Sequence, residues 1–234
     1  MNTGIHLSAK PVARLMLNKV LLLCGILSSL MYIGMSILIP LQFPGYDSAS
    51  QTISELSAID APTRKIWVAW GIVYTILVTA FGIGLLLSAG DNRKLRIVGI
   101  LLIIYGIIGI GWPMAPMHQR EVLAAGGGTL SDTLHIIFSM VTVFIMLLAM
   151  AFGAFAFGKG FRFYSLLTIL VLLVLGIFTG MDAPKLEADL PTPWLGIVER
   201  ILIGVFLVWI IVLATNVIQS VKNENPLQVH HRVM

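Results

Sequence analysis

Six apolar blocks, each about the length of a membrane-spanning helix, are the feature that most constrains the fold of this chain. About 20 apolar residues in a helix cross the ~30 Å hydrocarbon core of a bilayer. The blocks lack the period-two alternation of outer-membrane strands and are about twice as long as such strands. Because an open sheet cannot satisfy its backbone in lipid, the sequence predicts an all-α fold, a polytopic membrane helical bundle forming one domain over residues 1–234. The six helices are expected near residues 20–39, 66–87, 95–112, 134–157, 163–181 and 194–217.

The composition agrees with a membrane protein and excludes several other classes. Hydrophobic residues make up 58% of the chain and charged residues only 11%, against roughly 25% charged in a typical globular domain. The formal net charge of +4 comes from basic residues scattered at helix ends rather than gathered on one face, so nucleic-acid binding is excluded. Cys24 is the single cysteine, which rules out an intramolecular disulfide and a cysteine metal cluster. Membrane lipids are the expected partners.

The distribution of charge predicts the orientation in the membrane. The two tails, the second loop and the fourth loop hold ten of the fifteen lysines and arginines, with only Asp91 and Glu224 opposing them. The first, third and fifth loops hold nine of the eleven acidic residues. By the positive-inside rule, both termini are predicted to be cytoplasmic and these three loops to face outward.

The first outer loop carries a pattern typical of a short helix. Ser48 and Gln51 fit a capping box, and an amphipathic helix is expected over residues 49–58. Two interpretations follow from this pattern. The helix either lies at the membrane interface and packs over the bundle, or it forms a lid that supplies Glu55 or Ser54 to a site.

The fourth predicted helix carries one polar stripe, because its polar residues fall at spacings of three and four. A histidine one turn inside an apolar helix needs a partner, and Asp132 is placed to hold the ring of His135 for a metal or general-base site. The alternative is a packing histidine bonded to a neighbouring helix. His118, in the preceding loop, is a second candidate metal ligand. The stripe consists of Ser131, Asp132, His135, Ser139 and Thr142.

Two adjacent charged residues lie near the start of the sixth predicted helix. Glu199 suits the positive end of the helix dipole, whereas Arg200 must extend to the membrane surface or meet a carboxylate. The pair therefore indicates either a structural ion pair or a clamp for a substrate anion. The candidate carboxylates for Arg200 are Glu55, Asp132 and Asp182.

Short motifs along most of the chain resemble the uncharacterised prokaryotic membrane proteins grouped as domain of unknown function 998. These motifs are Gly45-Tyr46, the run Ser50-Gln-Thr-Ile-Ser-Glu-Leu-Ser57, Ala61-Pro62, a proline motif closing the third helix, Leu134-His135, and Gly196-x-x-Glu199-Arg200. The resemblance implies a multi-pass protein of the plasma membrane of a bacterium or archaeon, and it supplies no activity. The family tends to have Pro-x-Asp after the third helix, where this chain has Ala115. If that aspartate serves a site, the site is altered here.

The first function class is a membrane-embedded hydrolase or transferase acting on a lipid or lipid-linked substrate. It would use a divalent metal or acid and base groups, with Arg200 holding a phosphate or a developing negative charge. The candidate catalytic residues are Glu55, Asp132, His135, Glu199 and Arg200, and the candidate metal ligands are His118, Asp132 and His135.

The second function class is non-enzymatic: a lipid-binding or accessory membrane protein, or a small transporter. Polar residues gather near the outer ends of the blocks rather than at the bilayer midplane, which favours an outward-facing site or an accessory role over transport. Small residues at Ala149, Gly153 and Ala156 permit close helix packing, within the bundle or between protomers of a homo-oligomer.

Overall fold

The computed structural model describes residues 9–188 and 190–223, and these residues form helices and connecting turns. Six of the described helices are long and apolar enough to cross a membrane, which confirms the predicted all-α fold with six spans. Part of the C-terminal tail used in the orientation prediction, with Glu224 and Arg232, lies outside the described residues. The α-helices are α1 (Ala9–Leu38), α2 (Arg64–Ser88), α3 (Arg93–Gly109), α4 (Arg120–Ala124), α5 (Leu130–Gly153), α6 (Lys159–Glu187) and α7 (Leu195–Asn223).

The six long helices pack as a closed ring in chain order. Each packs against the next, from α1 through α2, α3, α5 and α6 to α7, and α7 packs back against α1. Additional contacts of α7 with α2 and α5 cross the inside of the ring. The ring therefore has an interior, and its two ends differ.

Two short turns define what we call the hairpin end of the bundle. Residues 89–92 join α2 to α3, and residues 154–158 join α5 to α6. Asn92 holds both turns, because its side chain accepts from the N–H of Leu95 and donates to the carbonyl of Ala156. The opposite end, which we call the loop-rich end, holds residues 39–63, 110–129, 188 and 190–194.

The interior near the hairpin end is filled by large apolar side chains. Trp209 is fully buried, and its indole N–H donates to the hydroxyl of Ser165 at 2.9 Å. A Cβ added at Gly153 would lie 2.5 Å from the Trp209 ring, so only glycine allows this approach of α5 to α7. Ala149 is likewise fully buried. These two residues of the predicted small-residue face thus serve packing within the bundle.

The first loop folds inward over the loop-rich end as a compact segment, residues 43–58, which we call the cap. The prediction of an amphipathic helix over residues 49–58 is not confirmed, because the cap contains a short 3-10 helix, Ile53–Ser57. Its capping box is formed by Thr52 and Glu55, not by Ser48 and Gln51.

The turn before this 3-10 helix explains the difference. The carboxylate of Asp47 accepts from the N–H of Ala49 and the hydroxyl of Ser50. Gln51 accepts from the N–H of Asp47 through its side chain, so it closes a turn instead of capping a helix. Side-chain hydrogen bonds of this kind compete with helix formation.

Candidate ligand-binding cavity

A cavity of about 280 Å³ lies inside the helix ring, beneath the cap. All six long helices contribute to its wall, and Ile53, Ser54 and Ser57 of the cap contribute as well. Pockets that bind small molecules are usually mostly apolar with a few converging polar groups, and this lining fits that description. Its ionisable and phenolic side chains are Tyr32, Arg64, Tyr74, Tyr105, His135 and Glu199.

Glu199 brings a carboxyl group into the bundle from the second turn of α7. One carboxyl oxygen accepts a hydrogen bond of 2.5 Å from the backbone N–H of Ile53 in the cap. Among the described residues, its other oxygen has no hydrogen-bond donor within reach. A carboxyl group inside a membrane bundle is costly unless it is satisfied. The free oxygen of Glu199 is therefore available to a molecule in the cavity.

His135 brings an imidazole to the same cavity and is only 8% exposed. Its Nδ1 lies 2.9 Å from the carbonyl oxygen of Ala115. Since a carbonyl only accepts, Nδ1 carries the proton, and Nε2 of the neutral ring is an acceptor. Nε2 is buried and has no hydrogen-bond partner in the described structure. The edge of the imidazole also packs on Trp112, with ring centroids 4.8 Å apart.

Further polar groups surround these two residues. Thr142 also carries a buried hydroxyl without a partner among the described residues. Tyr74 and Tyr105 share a hydrogen bond of 3.0 Å, and the ring of Tyr32 lies 4.9 Å from that of Tyr74. Sequence analysis overlooked these tyrosines because each lies within an apolar block. All three lie in the half of their apolar block that is nearer the loop-rich end, and this shared position could have indicated that they meet.

The polar stripe of α5 divides between the cavity and the helix terminus. His135, Ser139 and Thr142 line the cavity. Asp132 instead caps the helix and accepts from the backbone N–H and Nδ1 of His118, at 2.7 and 2.8 Å. The prediction that Asp132 holds the ring of His135 is wrong, because a backbone carbonyl occupies that position.

The predicted metal ligands do not form a metal site. His118 and Asp132 bond to each other, whereas His135 binds the Ala115 carbonyl within the cavity wall. Across residues 9–188 and 190–223, no group of three or more His, Cys, Asp or Glu side chains is placed to hold a metal ion. The residues present therefore do not fit the divalent metal proposed from sequence.

Glu55, a predicted catalytic residue, lies in a saturated ion pair. It is 1% exposed, and both its oxygens accept from Arg120, at 2.7 and 3.0 Å. Thr52 and Gln51 donate to the same carboxylate. Because Arg120 donates hydrogen bonds to the Glu55 carboxylate, the pKa of Arg120 is raised above its usual range. Glu55 thus fixes the cap and has little capacity left for a ligand.

Arg120 was missed by sequence analysis although it is the link between the cap and two other loops. Its guanidinium also donates to the carbonyl of Ser50 and to the hydroxyl of Thr192 in the last loop. Arg120 is the only lysine or arginine between α3 and α5, and this isolation was the signal in the sequence.

Arg200 binds backbone carbonyls instead of a carboxylate. One of its amino groups donates to the carbonyls of Ser48, Gln51 and Gly196, each at 3.0 Å. Among the described residues, no carboxylate lies within ion-pair distance of its guanidinium. The structural ion pair predicted from sequence is therefore not formed by the described residues, whereas the clamp for a substrate anion stays a prediction. Arg200 holds the cap against α7.

Tyr46 completes this attachment of the cap. Its hydroxyl accepts from Arg200 at 2.6 Å and donates to the carbonyl of Thr52 at 2.6 Å. Burial raises the pKa of Tyr46 to about 12, although the hydrogen bond from Arg200 acts in the opposite direction. The phenol is therefore neutral under ordinary conditions.

The fold and the cavity define a polytopic helical membrane protein with an internal polar cavity closed at one end by a folded loop. The family described as Protein of unknown function (DUF998) matches residues 26–216, and the chain belongs to that family. This match confirms the resemblance seen in the short motifs and includes the cap and the cavity wall. No curated protein and no solved structure matches the chain.

Proposed function

We propose that this protein binds a small polar molecule, or the polar head of a larger one, in the cavity beneath the cap. We place the loop-rich end on the outer side of a prokaryotic plasma membrane, since the positive-inside rule assigns both tails to the cytoplasm. The site then lies near the outer surface of the bilayer.

The observation that carries this proposal is the set of unpartnered polar atoms around one cavity. Nε2 of His135 and the hydroxyl oxygen of Thr142 are buried without partners, and one oxygen of Glu199 is free of protein donors. An unsatisfied buried polar group costs about 1–3 kcal/mol. By contrast, both carboxylates of the cap have partners, since Asp47 accepts from Ala49 and Ser50 and Glu55 accepts from Arg120.

The free atoms also indicate the chemistry of the ligand. Nε2 of His135 and the oxygen of Glu199 are acceptors, so the ligand should carry donors such as an ammonium group or hydroxyls. The volume of about 280 Å³ lies near the lower limit of roughly 300–1,000 Å³ for ordinary ligand pockets. A polar head group fits this size better than a drug-sized molecule.

A thermal-shift measurement tests the proposal with two deacylated head groups, glycerophosphoethanolamine and glycerophosphoglycerol. A ligand that binds only the folded protein stabilises it by about 2.7 kcal/mol at a concentration 100 times Kd. We expect at least one of them to raise the Tm of the detergent-purified protein.

Two glycine substitutions provide a variant with a blocked cavity and a matched control. Gly71 lines the cavity, and a Cβ there meets open space, so Gly71→Leu places a side chain in the cavity without a backbone clash. Gly180 of α6 is equally open and does not line the cavity. The shift should disappear in Gly71→Leu and persist in Gly180→Leu. A folded wild type that responds to neither head group would overturn the proposal.

Acid–base hydrolysis of an ester is a second candidate, because an imidazole acceptor and a carboxyl group share the cavity. Nε2 of His135 would accept a proton from water while the water oxygen bonds to the acyl carbon. The ester C–O bond then breaks, and the proton passes to the leaving alcohol, while Glu199 orients the water.

Release of p-nitrophenol from p-nitrophenyl butyrate tests this second candidate. General-base catalysis contributes about 10²–10⁴-fold, so His135→Ala should lower turnover by that order. Glu199→Gln should lower it as well, whereas Asp182→Asn, outside the cavity, should leave it unchanged. Equal turnover in all four proteins would exclude catalysis by these groups.

A further inference from the structure

A second concave region lies on the membrane-facing side of the bundle. It is a groove of about 580 Å³ flanked by α1 and α6, with α7 as its floor. Its wall is almost entirely apolar and includes Ile37, Leu167, Val171 and Val208. All three helices span the membrane, so the medium that reaches this groove is lipid hydrocarbon.

The groove and the cavity are neighbours that share part of their walls. Tyr32, Ile53 and Ile203 line both of them. Ile53 is also the residue whose backbone N–H holds Glu199. These three residues therefore lie between an apolar groove open to lipid and a cavity that holds unpartnered acceptors.

We propose that the ligand of the cavity is a membrane lipid whose chain lies in the groove and whose head group enters the cavity past Tyr32 and Ile203. This inference rests on the proposed function and specifies its ligand class. A lipid is the class of molecule that brings hydrogen-bond donors and a hydrocarbon chain to adjoining spaces inside a bilayer.

The energetics assign different roles to the two spaces. A lipid chain leaves one hydrocarbon environment for another when it enters the groove, so its transfer provides little driving force. The hydrogen bonds to His135 and Glu199 would supply the selectivity instead. The groove positions the acyl chain so that the head group reaches the cavity, and it lets the lipid enter sideways from the membrane.

Three glycines in membrane-spanning helices allow a matched test. A Cβ at Gly204, in the groove, meets nothing within 4 Å, and the same holds for Gly71 in the cavity and Gly180 outside both. Replacement of each by leucine adds the same side chain without a clash. Gly204→Leu therefore blocks the groove, Gly71→Leu blocks the cavity, and Gly180→Leu alters only a surface outside both.

The experiment uses the full chain in vesicles of phosphatidylethanolamine and phosphatidylglycerol that contain a phosphatidylethanolamine with a diazirine on its acyl chain. After illumination, adducts on the α7 segment 200–208 are quantified by peptide mass spectrometry. In the wild type, a larger share of unlabelled phosphatidylethanolamine in the vesicles should lower the amount of adduct on this segment. Labelling should fall about tenfold, equivalent to about 1.4 kcal/mol, in both Gly204→Leu and Gly71→Leu, and should be unchanged in Gly180→Leu.

The two proposals fail in different ways. If Gly71→Leu leaves the α7 labelling at the wild-type level, the groove holds only surrounding lipid and the inference is wrong. The deacylated head groups would still stabilise the wild type if the proposed function holds. If they also fail, both proposals are wrong. The Tm of each variant without ligand verifies that a loss of labelling does not reflect unfolding.

Discussion

The two halves of the bundle use their interior in opposite ways. Near the hairpin end, large buried side chains such as Phe81, Phe206 and Trp209 fill the space, and Gly25 and Gly153 on neighbouring helices admit Phe81 and Trp209. Near the loop-rich end the interior is a cavity with hydroxyls, an imidazole and a carboxyl group in its wall. The same six helices thus form a packed core at one end and a polar chamber at the other.

This difference distinguishes the part of the bundle that is closely packed from the part in which we propose that a ligand binds. Helices in a bilayer associate through close packing more than through hydrophobic transfer, so the hairpin half is expected to provide most of the cohesion. The loop-rich half is less closely packed, and the cap is held there by the ion pair between Arg120 and Glu55 and by hydrogen bonds. Natural proteins depart from ideal packing mainly at functional sites.

The largest expected effect comes from adding the same side chain to both halves. Gly153→Leu would drive a Cβ to 2.5 Å from the Trp209 ring, and overpacking of this kind costs about 1–3 kcal/mol. Gly71→Leu meets open space and should be neutral or stabilising, by up to about 1 kcal/mol. Denaturant unfolding in detergent micelles compares the two variants. Equal destabilisation would contradict the contrast between the halves.

The next effect concerns the ion pair that fixes the cap. Removing one partner of a buried pair costs 3–5 kcal/mol, and because Arg120 is 23% exposed we expect a discounted loss of about 2 kcal/mol for Arg120→Ala. The loss should be local, so hydrogen exchange should increase in residues 46–57 and remain slow around Trp209. Glu121→Ala, at an exposed position of the same short helix, is the control. Uniform loss of protection along the chain would argue against a separate cap.

The smallest expected effect is a pH dependence confined to the cap. Since the folded state raises the pKa of Tyr46 to about 12, the stabilisation from its neutral hydroxyl is complete below the ordinary value near 10. It is then lost as the pH rises toward 12. The difference in Tm between wild type and Tyr46→Phe should shrink over this range. A constant difference would show that folding does not raise the pKa of Tyr46.

The membrane spans could be predicted because they depend on one local quantity, the length of an apolar run. Their ends differed from prediction where local hydrogen bonds decide them. Thr129 and Asp132 start α5 at Leu130 through a capping box, and the helix ends at Gly153 rather than at residue 157.

The partners within the site could not be predicted in the same way. Glu55 and Arg120 are 65 residues apart in sequence, and the spacing rules for helices do not reach that far. His135 and Arg200 bind backbone carbonyls, which every residue possesses and no sequence pattern displays. The candidate residues were thus identified largely from type and position, whereas their roles followed from the fold.

The contacts of Arg200 can form only late in the synthesis of the chain. They join α7 to cap residues that precede it by 149 and 152 positions. At roughly 5–20 residues per second on a ribosome, the cap segment emerges about 7–30 seconds before the helix that receives it. A nascent chain that stalls before α7 would therefore carry a first loop held by Arg120 but not by Arg200, over an open chamber, a state that a membrane quality-control protease could recognise.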